Sequence, residues 1–287
     1  MVISVRKASK ARKDNTNIDF RISNGVNVAI LFTAGTNCDE ETIRAFDIAQ
    51  AKAERVHINA LKKKKNLLRE YQILCIPGGF TYGDYISAGK ILANELQYIL
   101  EDNLSEFIKQ GKLILGICNG FQVLVKAGIL PGFSKQSKAK PKQIVTLDTN
   151  DSNRFECRWI YLKVNPRSSC VFTKNIDKVV PLPVAHAEGK FVVDRRRTLQ
   201  KLINNNQIVF TYVDENGRKA NYPYNPNGSI ADIAGICDST GHIFGLMPHP
   251  ERFSSIYHHP RWNSEDIKEP AGLKIFNNAV EYAKQNL

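Results

Sequence analysis

Three short apolar runs each end abruptly in a glycine-bearing turn, and that arrangement limits the fold more than any other feature of the chain. Val26 to Phe32 (VNVAILF) runs into Thr33-Ala34-Gly35-Thr36-Asn37, Ile73 to Ile76 (ILCI) stops at Pro77-Gly78-Gly79, and Leu113 to Ile117 (LILGI) meets Cys118-Asn119-Gly120. Runs this short and this uniformly apolar fit strands buried on both faces. Between them, Asp39 to Ala51 carries helical spacing at Ile43, Phe46 and Ala49, and Phe121 to Ala127 continues as a helix after the third run. Arg55 to Ile58 (RVHI) reads as a further short strand. Strands alternating with covering helices predict an α/β, doubly wound and mostly parallel sheet over the first 130 residues.

The second half has a different pattern. Trp159 to Val164 alternates as a half-buried strand does, and further strands are expected at Val184 to Ala187, Ile208 to Val213, Ile230 to Ile236 and Ile243 to Met247, with few helices between them. These predict an antiparallel extension of the same sheet, closed by an amphipathic helix over Ala271 to Lys284. No internal repeat or linker divides the chain, so one domain over 26–287 is expected behind a flexible basic extension over 1–25. The polar, basic insert near Val193 to Asn206 receives no role from the sequence.

Composition excludes several classes. The 40 Lys+Arg against 28 Asp+Glu give a net charge of +12, but much of the excess is local, in Arg6, Lys7, Lys10, Arg12, Lys13 and Arg21 and in the run Lys62 to Lys65. No stacking aromatics interleave with these charges, so they read as solvated segments and no nucleic-acid partner is expected. The six cysteines form no C-x-x-C pair, which fits a reducing compartment. No apolar run approaches the roughly 18 residues of a membrane span, and the start lacks the apolar stretch of a secretory signal. A cytoplasmic protein without membrane contact is the expectation.

Gly116-Ile117-Cys118-Asn119-Gly120-Phe121-Gln122 places a cysteine at a strand-to-helix turn between two glycines. G-x-C-x-G is the thiol form of a nucleophile elbow, in which small flanking residues let the strand turn directly into the helix. The apex residue is strained, and the unpaired N–H groups of the helix start favour an anionic sulfur there. A thiol nucleophile needs a base, and the base needs a third group to fix its tautomer. His249 and Glu251, in Gly245 to Arg252 (GLMPHPER), supply both residue types two positions apart, where strand alternation would put them on one face. Pro77-Gly78-Gly79 leaves backbone N–H groups at a strand's C-terminal edge, suited to an oxyanion hole with the N–H of Asn119 as second donor. Taken singly, each piece has an ordinary structural explanation: a cysteine buried in a tight turn, a histidine at a strand end, a glycine turn.

Together, the three pieces resemble a class I glutamine amidotransferase, a family that carries a G-x-C-x-G-x-Q elbow, a P-G-G loop and a late His-x-Glu. Longer stretches narrow the resemblance to the branch of that family serving purine biosynthesis: PGGFTYGDY over 77–85, GICNGFQ over 116–122, RFECRW over 154–159, PVAHAEG over 183–189 and NPNGSIADIAGI over 225–236. The resemblance implies a flavodoxin-like fold, with Cys118 as nucleophile, His249 as acid/base and Glu251 as its orienting partner. It implies Gly79 and Asn119 as oxyanion donors and Gln122 as a residue holding the glutamine, with no metal site. His186 and Glu188 then read as structural or positioning residues. The chain departs from the pattern at Thr81, where Ser is common, and at Asn153 and Ala187, where Gly is common. Asn tolerates a left-handed backbone and Ala demands only a negative φ, so neither change threatens the site.

The implied substrate is L-glutamine and the useful product ammonia. Activating an amide oxygen to accept ammonia needs ATP, and the chain has no G-x-x-x-x-G-K-[ST] loop. No cofactor is therefore expected on this chain. ATP and magnesium are expected on a separate synthetase subunit, joined in many organisms by a small third subunit. The competing readings are an amidotransferase subunit for a different synthetase, and a cysteine peptidase or chaperone of related fold.

Overall fold

A computed structural model describes residues 25–64, 66–98, 101–132, 142–219 and 221–287. Residues 1–24 of the expected basic extension, and Lys65 of the lysine run, lie outside the described residues.

The first half alternates as expected: β1 (Asn27–Phe32), α1 (Asp39–Ile48), β2 (Lys52–His57), α2 (Ile58–Lys63), β3 (Ile73–Ile76), α3 (Lys90–Tyr98), α4 (Glu101–Lys109), β4 (Leu113–Ile117) and α5 (Asn119–Lys126). Every residue of β3 and β4 is buried. Each buried Ile or Leu side chain there contributes about 1.5–3 kcal/mol on leaving water, which is why four or five residues suffice for a strand. The second half holds β5 (Val145–Thr149), β6 (Glu156–Val164), β7 (Val179–His186), β8 (Glu188–Val193), α6 (Arg196–Asn204), β9 (Ile208–Val213), β10 (Ile233–Cys237), β11 (Ile243–Leu246) and α7 (Ala271–Asn286).

Nine strands form one sheet in the order β2-β1-β3-β4-β11-β10-β9-β6-β7, while β5 and β8 pair separately. The strands β2, β1, β3, β4 and β11 run parallel, and the rest continue antiparallel, as the change of pattern predicts. The chain winds from β1 outward to β2 and then back past β1 to β3 and β4. Right-handed crossovers in opposite directions put the covering helices on opposite faces and leave a crevice at the C-terminal ends of β1 and β3. The late strand β11 inserts beside β4 with Leu246 opposite Ile117, so the segment after β11 emerges next to Cys118.

Several boundaries differ from the sequence expectations. β2 begins at Lys52, and Ile58 opens α2, because the His57 side chain accepts the Asn59 N–H and caps a helix there. β7 starts at Val179, and its Pro181 and Pro183 are tolerated because the strand is the sheet's edge. Ile230–Asp232 is a tight, non-helical turn ahead of β10, with Ala231 and Asp232 at positive φ. The basic insert becomes α6, whose Thr198 and Leu202 are buried and whose Thr198 hydroxyl bonds Asp194 at 2.5 Å. The closing helix α7 lies as expected, with Phe276 edge-on to Phe46 of α1 at 4.9 Å. No helix among the described residues is long and apolar enough to cross a membrane.

Candidate active site

Cys118 caps α5 with φ 51° and ψ −105°, a conformation that non-glycine residues rarely adopt and that costs of order 1–3 kcal/mol. The surrounding structure holds it there. Its N–H donates to Leu246 O at 2.8 Å, tying the apex to β11. Behind it, a Cβ on Gly120 would sit 1.8 Å from Ile76 O, so the helix start approaches β3 more closely than any other residue would allow. Cys118 Sγ lies 3.6 Å from Ala185 O, on the wall of a cavity of about 200 Å³ at the crevice.

His249 and Glu251 line up beside this thiol, but not as a strand face. β11 ends at Leu246, and Pro250–Phe253 is a 3-10 turn. Pro248 and Pro250 lack the N–H groups that a strand would need. The turn still brings His249 Nδ1 to 2.6 Å from Glu251 Oε1, with both residues 1% exposed. The His249 N–H donates to Pro183 O at 2.8 Å, which anchors the turn to β7. Burial works against a charge on His249, yet the Glu251 carboxylate and then the sulfurs of Cys118 and Cys38 outweigh it, holding its proton affinity well above the ordinary imidazole value. His249 Nε2 is buried with no hydrogen-bond partner among the described residues, so it is left to serve whatever enters the cavity.

Gly79 has φ +144°, open to glycine but not to a side chain, and its Cβ would fall 2.6 Å from Asn37 N. The bridge between Thr36 and Gly79 is closed by the N–H groups of Asn37 and Phe80, which leaves the Gly79 N–H out of it. Asn119 is the first residue of α5, so its N–H is among the helix's unpaired donors. Its side chain is committed elsewhere: Oδ1 accepts from Thr81 Oγ1 at 2.7 Å, and Nδ2 donates to Gln122 Oε1 at 2.9 Å and to Asp84 Oδ1 at 3.2 Å. Gln122 Nε2 donates in turn to Glu188 O at 2.5 Å. Gln122 thus lines the cavity as part of a fixed network, with one hydrogen of its amide group still uncommitted. Thr81 takes the place of the common Ser without loss of the hydroxyl contact.

His186 also lines the cavity, but burial, and secondarily the neighbouring His249, push its pKa down to about 3. It is neutral and held by Asn150 Oδ1 at 3.2 Å and Asn227 Nδ2 at 3.5 Å. Glu188 accepts the Ala88 N–H at 3.2 Å, 3.6 Å from the buried Lys126 ammonium. Both residues therefore tie loops together. Asn153 has φ 52° and Ala187 keeps a negative φ, matching the tolerance read from the sequence. The sequence reading missed Cys38 and Arg252, whose Nη2 lies 3.1 Å from Cys38 Sγ on the same cavity wall. The signal was available, because Cys38 follows β1 at the switch point of the sheet, where such folds gather ligands.

The fold and this constellation define an amidotransferase. The chain belongs to the CobB/CobQ-like glutamine amidotransferase domain family, whose model matches residues 25–283. Its relatives include proteins named phosphoribosylformylglycinamidine synthase subunit PurQ. The one from Dehalococcoides mccartyi is 52% identical over 91% of this chain and 98% of its own length, and the one from Archaeoglobus fulgidus 45% identical over 91% and 98%. A chain of the Thermotoga maritima PurLQS structure superposes with a TM-score of 0.67 at 28% identity, covering 90% of this chain and 99% of that one. The glutaminase domain of Trypanosoma brucei CTPS, 14% identical with a TM-score of 0.51, shares the fold.

Proposed function

We propose that this chain is the glutaminase subunit of phosphoribosylformylglycinamidine synthase. It hydrolyses glutamine and supplies ammonia for the ATP-dependent conversion of formylglycinamide ribonucleotide to formylglycinamidine ribonucleotide in purine biosynthesis. The observation that carries the chemistry is the buried His249–Glu251 pair, its Nε2 free, beside a cysteine elbow on one cavity wall. The relatives named PurQ and the PurLQS structure support the choice of pathway and of a synthetase partner.

Glutamine enters with its carboxamide against Cys118. The sulfur, its proton already handed to His249 Nε2, attacks the carboxamide carbon, and the carbonyl electrons move onto oxygen. The N–H groups of Gly79 and Asn119 hold that oxyanion. Collapse breaks the carbon–nitrogen bond, and the nitrogen leaves as ammonia with the proton from His249. Water, giving a proton to His249, then attacks the thioester, and release of glutamate returns the proton to sulfur. Glu251 keeps Nδ1 protonated throughout, so that Nε2 is the nitrogen that exchanges protons. Gln122 fixes the wall against which glutamine rests.

ATP and magnesium act on the synthetase subunit, and a small third subunit completes the complex. The free state of all six cysteines supports a reducing, cytoplasmic setting. The test is ammonia release from glutamine by the wild-type chain and by Cys118→Ala, alone and with the synthetase subunit, its nucleotide and its substrate. Release that needs Cys118 and rises with the synthetase is expected. No release in any mixture overturns the reading, and Cys118-dependent release indifferent to this synthetase reassigns the partner.

A further inference from the structure

The mechanism above uses no atom of Cys38, although this cysteine is 1% exposed and built against the same dyad. Its sulfur, a ring nitrogen of His249 and a carboxylate oxygen of Glu251 all lie within 4.8 Å of one another. A Cβ on Gly78 would fall 3.3 Å from Cys38 Sγ and 2.8 Å from His249 Cε1, so the thiol and the imidazole close on each other over the bare glycine backbone. Glu251 Oε2 is buried and has no hydrogen-bond partner among the described residues. A carboxylate oxygen left bare in the interior is costly, and a cation satisfies it.

From these observations we propose that Cys38, His249 and Glu251 form a binding site for a thiophilic divalent cation, Zn²⁺ in particular, and that the bound ion shuts off the glutaminase reaction. The inhibitory half of this proposal rests on the function proposed above, whereas the binding half does not. One thiolate, one imidazole and one carboxylate are the donor types zinc prefers, and three protein ligands leave a fourth position for a cavity water. Donor separations in a tetrahedral zinc site run about 3.3–3.8 Å, so side-chain adjustments of roughly an ångström close the set. The charges balance as well: thiolate and carboxylate neutralise the ion. Arg252 Nη2, already 3.1 Å from Cys38 Sγ, stays as a donor to the thiolate. The ion replaces the proton between Nδ1 and Glu251 and the proton on the thiol, and both leave to water. With Nδ1 ligated, the neutral ring carries its hydrogen on Nε2 and has no lone pair there to accept the Cys118 proton.

Co²⁺ serves as the spectroscopic probe, because zinc is silent and a cobalt–thiolate bond gives a charge-transfer band in the near ultraviolet. The full chain and Cys118→Ser are both expected to show the band, while Cys38→Ser and Cys38→Ala lose it. Competition against a chromophoric chelator should show zinc bound about 100-fold or more weakly by the Cys38 variants. In ammonia-release assays with the synthetase, each Cys38 variant, measured against its own metal-free rate, should lose the zinc inhibition, which a chelator reverses in the wild type. A band that survives in Cys38→Ser, disappears in Cys118→Ser, or is absent from the wild type overturns the site, whether or not the chain turns over glutamine. Equal zinc inhibition of wild type and Cys38→Ser overturns its inhibitory role.

Discussion

The 2.6 Å contact between His249 and Glu251 sets the behaviour of the site at the scale of single residues. Burial opposes charge on the ring, but the carboxylate and the two neighbouring sulfurs prevail, and the folded chain holds the His249 proton to a pH well above the ordinary imidazole value of about 6.5. Between those two values the folded state binds more protons than the unfolded one, so stability falls as pH rises. The contribution is complete below about pH 6.5 and is lost as pH climbs through the raised His249 value. Urea midpoints measured against pH should therefore decline over that window in the wild type and less steeply in Glu251→Gln; identical slopes would contradict the assignment. His186 is the opposite case, neutral at every working pH because burial holds it near 3. His186→Ala is expected to retain more than about a hundredth of the glutaminase rate in steady-state assays, since it loses a loop tie and no proton carrier.

Among the elements, the elbow joining β4 to α5 is the most tightly determined and was also the most legible. G-x-C-x-G states the need for small residues directly, and the 1.8 Å approach that a Cβ at Gly120 would make to Ile76 O is its physical content. Gly120→Ala should lower the unfolding free energy by about 3 kcal/mol or more in urea titrations, because two backbones have to part. The segment carrying His249 and Glu251 was legible in residue type but not in conformation. Alternation suggested a strand, whereas the two prolines force a turn, and a His-x-Glu pair meets there through different geometry. Cys38 was only faintly legible for another reason: its place after the first strand puts it near the switch point, but a lone loop cysteine has no distinguishing pattern, and its 3.1 Å contact with Arg252, distant in sequence, is what marks it.

Over the whole molecule, one sheet carries both halves, with parallel strands at one end and antiparallel strands at the other. The central strands β4 and β11 have strands on both sides, while β2 and β7 are edges. Hydrogen exchange should find the amides of β3, β4, β11 and β10 opening only with global unfolding, and those of β2 and β7 exchanging by local opening. Faster exchange in β4 than in β7 would show the two halves to be separate cooperative units. Local patterns in the chain set the strand-and-helix alternation of the first half, the change of pattern after it, and the residue types of the site, because buried strands and sharp turns leave compositional marks within a few neighbouring residues. Adjacency, by contrast, came from the packing of the folded chain. The insertion of β11 beside β4 brings His249 to Cys118 across more than a hundred residues of chain and sets Cys38 against the same histidine. Strand order is fixed by how buried faces pack together and not by any local pattern, so no window of sequence records it.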